Sequence, residues 1–120
     1  MTPLLIALAG GLGACARFLL DSVVSKLRAP LPLGTIVVNV SGSFLLGLLT
    51  GWVLTGGAPD AVSVAGTGFL GGYTTFSTAS VEGARLARAG RNWSLLLHAA
   101  GTALLGIAAA GLGVWLTSRQ

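Results

Sequence analysis

The sequence predicts an all-α membrane protein with four transmembrane helices. Hydrophobic residues make up 53% of its 120 residues and charged residues only 8%, whereas a soluble domain carries about 25% charged residues. The apolar residues lie in long blocks and not in the stripes of a half-buried helix or strand. Lipid is therefore the solvent that this composition fits.

Four apolar blocks are long enough to cross a bilayer, which takes about 17 to 25 residues in a helix. They cover residues 3–20, 34–55, 61–80 and 93–116. The first block has no basic residue before Arg17 and carries that arginine near its end. We therefore expect a retained helix and not a signal peptide. Residues 1–120 are predicted to form a single four-helix transmembrane domain.

Basic residues are concentrated in two of the three predicted loops. The face with these loops carries Lys26, Arg28, Arg85, Arg88 and Arg91, and the face with both termini carries only Arg119. By the positive-inside rule, the two loops are cytoplasmic and both termini lie outside the cell membrane. Basic residues at helix ends act as orientation signals, so we expect no nucleic-acid partner.

Polar residues within the first two spans are costly in lipid, so each calls for a partner or a function. Arg17 either snorkels to the interface or pairs with Asp21, four residues on, or it attracts anions into a vestibule. Asn39 can donate two hydrogen bonds, either between helices or to a ligand. Thr35 lies one helical turn before Asn39 on the same face. This small, polar face is the kind that lines a water-filled or ion-filled path.

The third span contains a run that is a poor continuous helix, from Gly71 to Thr75. Glycine costs about 1 kcal/mol relative to alanine in a helix, and β-branched threonine costs less. We predict a break in mid-membrane, which is tolerated only where protein groups or a cavity satisfy the freed backbone. Exposed carbonyls at such a break are ligands for a small cation. A simple kink satisfied by the threonine hydroxyls is the alternative.

The fourth span places Ser94, His98 and Thr102 on one face, either as a path lining or as packing contacts. The three acidic residues are expected at helix ends, which leaves His98 without an acidic neighbour and makes it a weak proton relay. The chain has no nucleotide motif, no metal-ligand cluster and no paired carboxylates. We therefore do not expect an enzyme.

Three stretches resemble the signature motifs of the CrcB, or Fluc, family of fluoride channels. They are GGLGACARF at residues 10–18, GTIVVNVSGSFLLG at 34–47, and the run through GGYTTFST at 68–80. Their order and spacing, together with the length and the four-helix layout, extend the resemblance over nearly the whole chain. It implies a fluoride-selective channel that passively exports fluoride from the cytoplasm.

The resemblance also implies an antiparallel dimer with two fluoride pathways and a structural Na⁺ at its centre. The carbonyls of Gly71 and Thr74 would hold the Na⁺, Asn39 would donate to fluoride, and Phe76 would line the pore. Arg17 would lie at the vestibule. The residues implied as helpers in the path are Thr35, Ser77 and Thr78.

Two departures from the family pattern bear on the partner. The family often has a second phenylalanine three residues after the first, where this chain has Ala79. A homodimer also needs subunits inserted in both orientations, whereas the loop charges here are strongly biased. The sequence therefore favours pairing with a related, oppositely oriented subunit over pairing with itself.

Two other functions fit the size and the four-helix layout. A small multidrug-type transporter needs a buried acid in the membrane, and no predicted helix core supplies one. A non-transporting assembly subunit would use the polar residues only as contacts between helices.

Overall fold

The structure, a computed structural model, describes residues 1–119, which fold into helices joined by short turns. The helices are α1 (Thr2–Val24), α2 (Leu33–Leu54), α3 (Pro59–Val62), α4 (Gly71–Tyr73), α5 (Ser77–Arg88) and α6 (Asn92–Thr117). A 3₁₀ turn, Ser25–Leu27, follows α1, and a π-helical segment, Ser63–Leu70, joins α3 to α4. No β-strand occurs among the described residues, and the predicted all-α class is confirmed.

Three helices are continuous, apolar and long enough to cross a membrane: α1 with its 3₁₀ turn, α2 and α6.

The helix ends follow from local sequence. Pro3 stands in the first turn of α1 and Pro59 in that of α3, where the missing N–H of proline costs nothing. Arg28 and Gly90 have positive φ angles of 46° and 69° just after helical segments. These left-handed conformations turn the chain where each helical segment ends.

The third span is divided, as the glycine and threonine run predicted. A helical stretch over residues 59–73 ends at Thr74, whose ψ of 159° is extended. Helix α5 begins three residues later, at Ser77, and continues to Arg88, past the predicted end of the span at residue 80. The predicted break near 71–75 is therefore confirmed. The π-helical segment before it was not predicted.

The most extensive helix contact joins α2 to α6. The two backbones touch because glycines face each other: a Cβ on Gly113 would lie 2.7 Å from the Leu48 amide nitrogen, and one on Gly47 would overlap the Ala110 carbonyl. Close approach of this kind is how helices associate in lipid, where apolar side chains gain little by burial. These glycines hold the chain's own bundle together.

Helix α1 packs against residues 59–73 in the same way, since a Cβ on Gly13 or Gly72 would overlap the opposing backbone. The buried cluster between the helices is small and centres on Val38, Leu70 and Tyr73. Many large apolar side chains remain exposed along α1, α2 and α6. That distribution fits a protein whose outer surface meets lipid.

Candidate functional site

The break is held open by one side chain. Asn39 of α2 donates from Nδ2 to the Thr75 carbonyl at 2.8 Å and accepts from the Thr75 amide at Oδ1, also at 2.8 Å. Both backbone groups of Thr75 are thus satisfied without a helix, as a break within a membrane requires. The second Nδ2 hydrogen remains available, because a primary amide has two donors.

Threonine hydroxyls complete the turn. The Thr74 hydroxyl donates to the Leu70 carbonyl at 2.9 Å. The Thr75 hydroxyl accepts from the Thr78 amide at 3.2 Å and lies 3.2 Å from the Thr78 hydroxyl and 3.3 Å from that of Ser77. The Thr75 side chain therefore acts as a cap for α5. The predicted helpers Ser77 and Thr78 belong to this hydroxyl cluster.

A groove of about 870 Å³ runs past the break between α2, α5 and α6. Of the predicted site residues, it brings together Asn39, Gly71, Thr74 and Phe76. The Phe76 ring is 87% exposed, so it contacts little of its own chain. The rest of the groove wall is largely small and apolar, and it includes Ala79.

A second, smaller cavity of about 230 Å³ holds three more of the predicted residues, Arg17, Thr35 and Thr78, whereas Ser77 lines neither space. Thr75 lines both this cavity and the groove, so the break stands between the two spaces. Asp21 shares the small cavity with Arg17. No ion pair within 4.0 Å joins these two side chains in the described part of the chain, so the pairing of Arg17 with Asp21 that their spacing allows is not formed.

The predicted cation ligands lie on the groove side of the break. In a continuous helix the Thr75 amide would donate to the Gly71 carbonyl, but here it donates to Asn39. The Gly71 carbonyl thereby loses its helical partner, and the extended Thr74 residue turns its own carbonyl out of the helix. Carbonyl oxygens of this kind suit a hard cation.

One polar cluster contradicts an expectation from the sequence. Glu82 lies in the middle of α5 and not at a helix end, and its Oε2 is 3.9 Å from His98 Nε2. The prediction that His98 lacks an acidic neighbour was therefore wrong. The contact joins residues 16 positions apart on two helices, so no spacing rule within one helix would have found it.

Comparison with known proteins identifies relatives over almost the whole chain. The family described as "CrcB-like protein, Camphor Resistance (CrcB)" matches residues 4–114. A protein of Cutibacterium acnes named "Fluoride-specific ion channel FluC 2" is 53% identical and aligns over 99% of both chains. "Fluoride-specific ion channel FluC 1" of Leifsonia xyli is 52% identical over 97% of this chain and 88% of its own length. A Mycobacterium bovis protein, "Fluoride-specific ion channel FluC 2", is 45% identical over 92% of this chain and 86% of its own length.

Proposed function

Because the chain belongs to the CrcB-like family, we propose that it forms one subunit of a fluoride-selective channel whose path follows the groove beside the break. The observation that carries the proposal is the Asn39–Thr75 clamp. It opens a helix in mid-membrane and leaves an amide hydrogen and an exposed Phe76 at the wall of the groove. The names of its relatives support fluoride as the ion.

Fluoride is small and strongly hydrated, so a pore must replace its water with donors. The free Asn39 N–H and the Thr75, Ser77 and Thr78 hydroxyls are such donors. The edge of the Phe76 ring carries partial positive charge. Arg17 in the second cavity raises the local concentration of anions at the mouth of the path. Selectivity then follows from donor number and width.

The channel is passive. Hydrofluoric acid crosses the bilayer, ionises in the cytoplasm, and the anion leaves through the path. With the two basic loops cytoplasmic and both termini outside, the chain inserts in the cell membrane in one orientation. The residues in the path need no protonation cycle or nucleotide to move an ion down its gradient.

The subunit works as part of an antiparallel dimer with Na⁺ at its centre. The groove leaves Phe76 bare, and each subunit offers only the Gly71 and Thr74 carbonyls, so a second subunit both covers the ring and completes the cation's ligands. When bound, Na⁺ supplies a fixed positive charge near the path. Replacing Na⁺ by a larger monovalent cation during purification and assay should reduce fluoride flux, and returning Na⁺ should restore it.

The second subunit is a related protein in the opposite orientation, and a second copy of this chain is the rival. The charge bias of the loops and the presence of Ala79 where the family often has phenylalanine support a related partner. Reporter tags on the C-terminus test this. Tags on a single membrane face support a related partner, whereas tags on both faces in comparable amounts contradict it.

Fluoride efflux from liposomes tests the channel itself. The purified chain, alone and co-purified with a related subunit from the same cell, is reconstituted, and fluoride and chloride loss are read with ion-selective electrodes. Rapid fluoride loss with negligible chloride loss in either preparation is expected. No fluoride loss from either preparation, with folded protein verified by gel filtration, would contradict the proposal.

A further inference from the structure

One end of the helix bundle carries a cluster of exposed basic side chains, which we call the basic end. Two follow α1, two lie in the last turn of α5, and one precedes α6: Lys26, Arg28, Arg85, Arg88 and Arg91. None of them lines the groove or the smaller cavity. The proposed fluoride path therefore gives these charges no role.

Neighbouring carboxylates do not neutralise the basic end. Among the described residues, no ion pair within 4.0 Å involves a lysine or an arginine. Glu82, one turn before Arg85 along α5, contacts His98 instead. Like charges held on one small surface repel each other and attract anions, so the basic end fits an anionic partner.

The two connections at this end are fastened to each other. Arg91 Nη2 donates to the Pro30 carbonyl at 2.8 Å and to the Ser94 hydroxyl at 3.2 Å. Pro30 lies between α1 and α2, so this bond holds the first connection against the turn between α5 and α6. A guanidinium carries more N–H donors than these two bonds use. Arg91 is thus held in place with donors left for a ligand.

Arg28 stands in a backbone conformation that favours glycine. Its φ of 46° and ψ of 42° are left-handed, and Gly90 in the other connection has a φ of 69°. A residue with a Cβ is disfavoured in this region, whereas glycine enters it readily. The charge at residue 28 is therefore present at a conformational cost, which indicates a use for the guanidinium.

Apolar side chains beside the cations indicate what kind of anion binds. Leu27 and Trp93 are each 69% exposed, and each is within two residues of a member of the basic end. Tryptophan concentrates where a membrane meets water, and long basic side chains lay their stems along apolar surface with the charge at the headgroups. A soluble anion offers nothing to Leu27 and Trp93, whereas a phospholipid offers both a phosphate and acyl chains.

We propose that the basic end binds the headgroups of anionic phospholipids, with Arg28, Arg88 and Arg91 as the phosphate ligands. Each basic residue close to an anionic leaflet strengthens the attraction about fivefold. The opposite end carries one basic side chain, Arg119, whose guanidinium lies 4.1 Å from the centroid of the Trp115 ring. The preference for anionic lipid thus belongs to one end of the subunit, and it does not depend on which ion the subunit conducts.

Tryptophan fluorescence quenched by brominated lipid measures the preference at each end. Of the three tryptophans, Trp93 lies at the basic end and Trp115 at the other, so single-tryptophan proteins made by Trp→Phe substitution report on one end each. They are placed in nanodiscs of phosphatidylcholine and phosphatidylglycerol with either lipid brominated. We expect phosphatidylglycerol to be enriched over phosphatidylcholine at least about fivefold at Trp93 and less than about twofold at Trp115. Equal enrichment at the two tryptophans would overturn the proposal.

Charge removal tests the named ligands. In the protein that retains Trp93, Arg28→Gly combined with Arg88→Gln should lower the enrichment severalfold. The glycine suits the left-handed backbone, so SDS denaturation should show a fold that is as stable as before. Arg119→Gln is the matched control and should leave the enrichment at Trp93 unchanged. An unchanged enrichment in the double variant would contradict the proposed ligands.

A competition experiment separates lipid from a soluble anion. Inorganic phosphate and chloride are added at equal ionic strength to the nanodiscs that contain the Trp93 protein. Equal, small effects of the two salts are expected for a site that reads the membrane surface. Displacement of phosphatidylglycerol by inorganic phosphate alone would overturn the lipid assignment in favour of a soluble phosphate. Fluoride flux is not measured in any of these experiments, so their failure leaves the channel proposal standing.

Discussion

The α2–α6 contact and the groove beside the break are built from the same kinds of residue, yet they leave opposite surfaces. At the contact, Gly47 and Gly113 bring two backbones together, and the Thr117 hydroxyl donates across to the Leu48 carbonyl at 3.2 Å. At the groove, glycines and threonines leave carbonyls and an aromatic ring uncovered. The first region is closed within the chain, and the second stays open.

The difference lies in the backbone that surrounds the small residues. Along α2 and α6 the helices are continuous, their interior backbone groups are bonded within the same helix, and small residues only shorten the distance between axes. At residues 74–76 the helix stops, so side chains must satisfy the backbone, and Asn39 does so at one residue. Small residues thus build rigidity in one place and an unfilled site in the other.

The largest effect is expected from a substitution in the α2–α6 contact. Gly113→Ala should destabilise the fold by at least about 2 kcal/mol, because its Cβ would lie 2.7 Å from the Leu48 nitrogen and overpack the backbone contact. Denaturation with SDS in mixed micelles measures this. Gly111→Ala is the matched control, since a Cβ there has nothing within 4 Å. Equal losses in both variants would refute close approach as the cause.

The next prediction concerns the clamp. Asn39→Ala removes both hydrogen bonds to Thr75 and the free N–H at the groove. Hydrogen bonds to charged groups contribute about 1.5–3 kcal/mol, so fluoride efflux should fall by about 10- to 100-fold. We expect the variant subunits to assemble normally, as judged by gel filtration, and to show this lower fluoride efflux. Loss of assembly with no loss of flux per folded complex would reduce Asn39 to a contact between helices.

The sequence was enough to predict the break but not what holds it. Gly71-Gly72-Tyr-Thr-Thr is a poor helix by local preference alone, and local preference is readable along the chain. The Asn39–Thr75 clamp spans 36 positions, and the Glu82–His98 contact joins two helices. Both arise from tertiary packing, for which a single sequence carries no spacing signal.

The spans illustrate the same limit. Hydropathy located three continuous helices, because long apolar blocks are a local property. It did not show that α5 continues to Arg88, since charged residues on the outer face of a helix resemble a loop when only hydropathy is read. Glu82 was assigned to a loop for this reason, and the polar cluster around it was missed.

Phe76 provides a sharper test of the groove. Its ring is 87% exposed, so Phe76→Ala should leave the stability of the subunit nearly unchanged. Fluoride flux should fall by about 2- to 13-fold, since an aromatic contact contributes about 0.5–1.5 kcal/mol. Ile107→Ala is the control. This exposed apolar residue lies on α6, and its loss should change neither the stability nor the fluoride flux. Equal flux in the two variants would mean that Phe76 simply faces lipid.

The smallest effect is expected at the part-buried hydroxyl pair of Ser41 on α2 and Tyr73 on α4. Their oxygens are 2.8 Å apart, just before the break. Ser41→Ala should cost about 1 kcal/mol, because it leaves the Tyr73 hydroxyl unpaired. Tyr73→Phe should cost less, because the Ser41 hydroxyl still donates to the Val38 carbonyl at 3.2 Å. The double variant should lose less stability than the sum of the two single variants, and fluoride flux should change by less than about twofold in all three.

A double-mutant cycle in SDS denaturation, with flux measured on the same preparations, tests this. Additive stability losses would show that the hydroxyls are not coupled, and a large flux loss would place this pair in the path and not in the packed region.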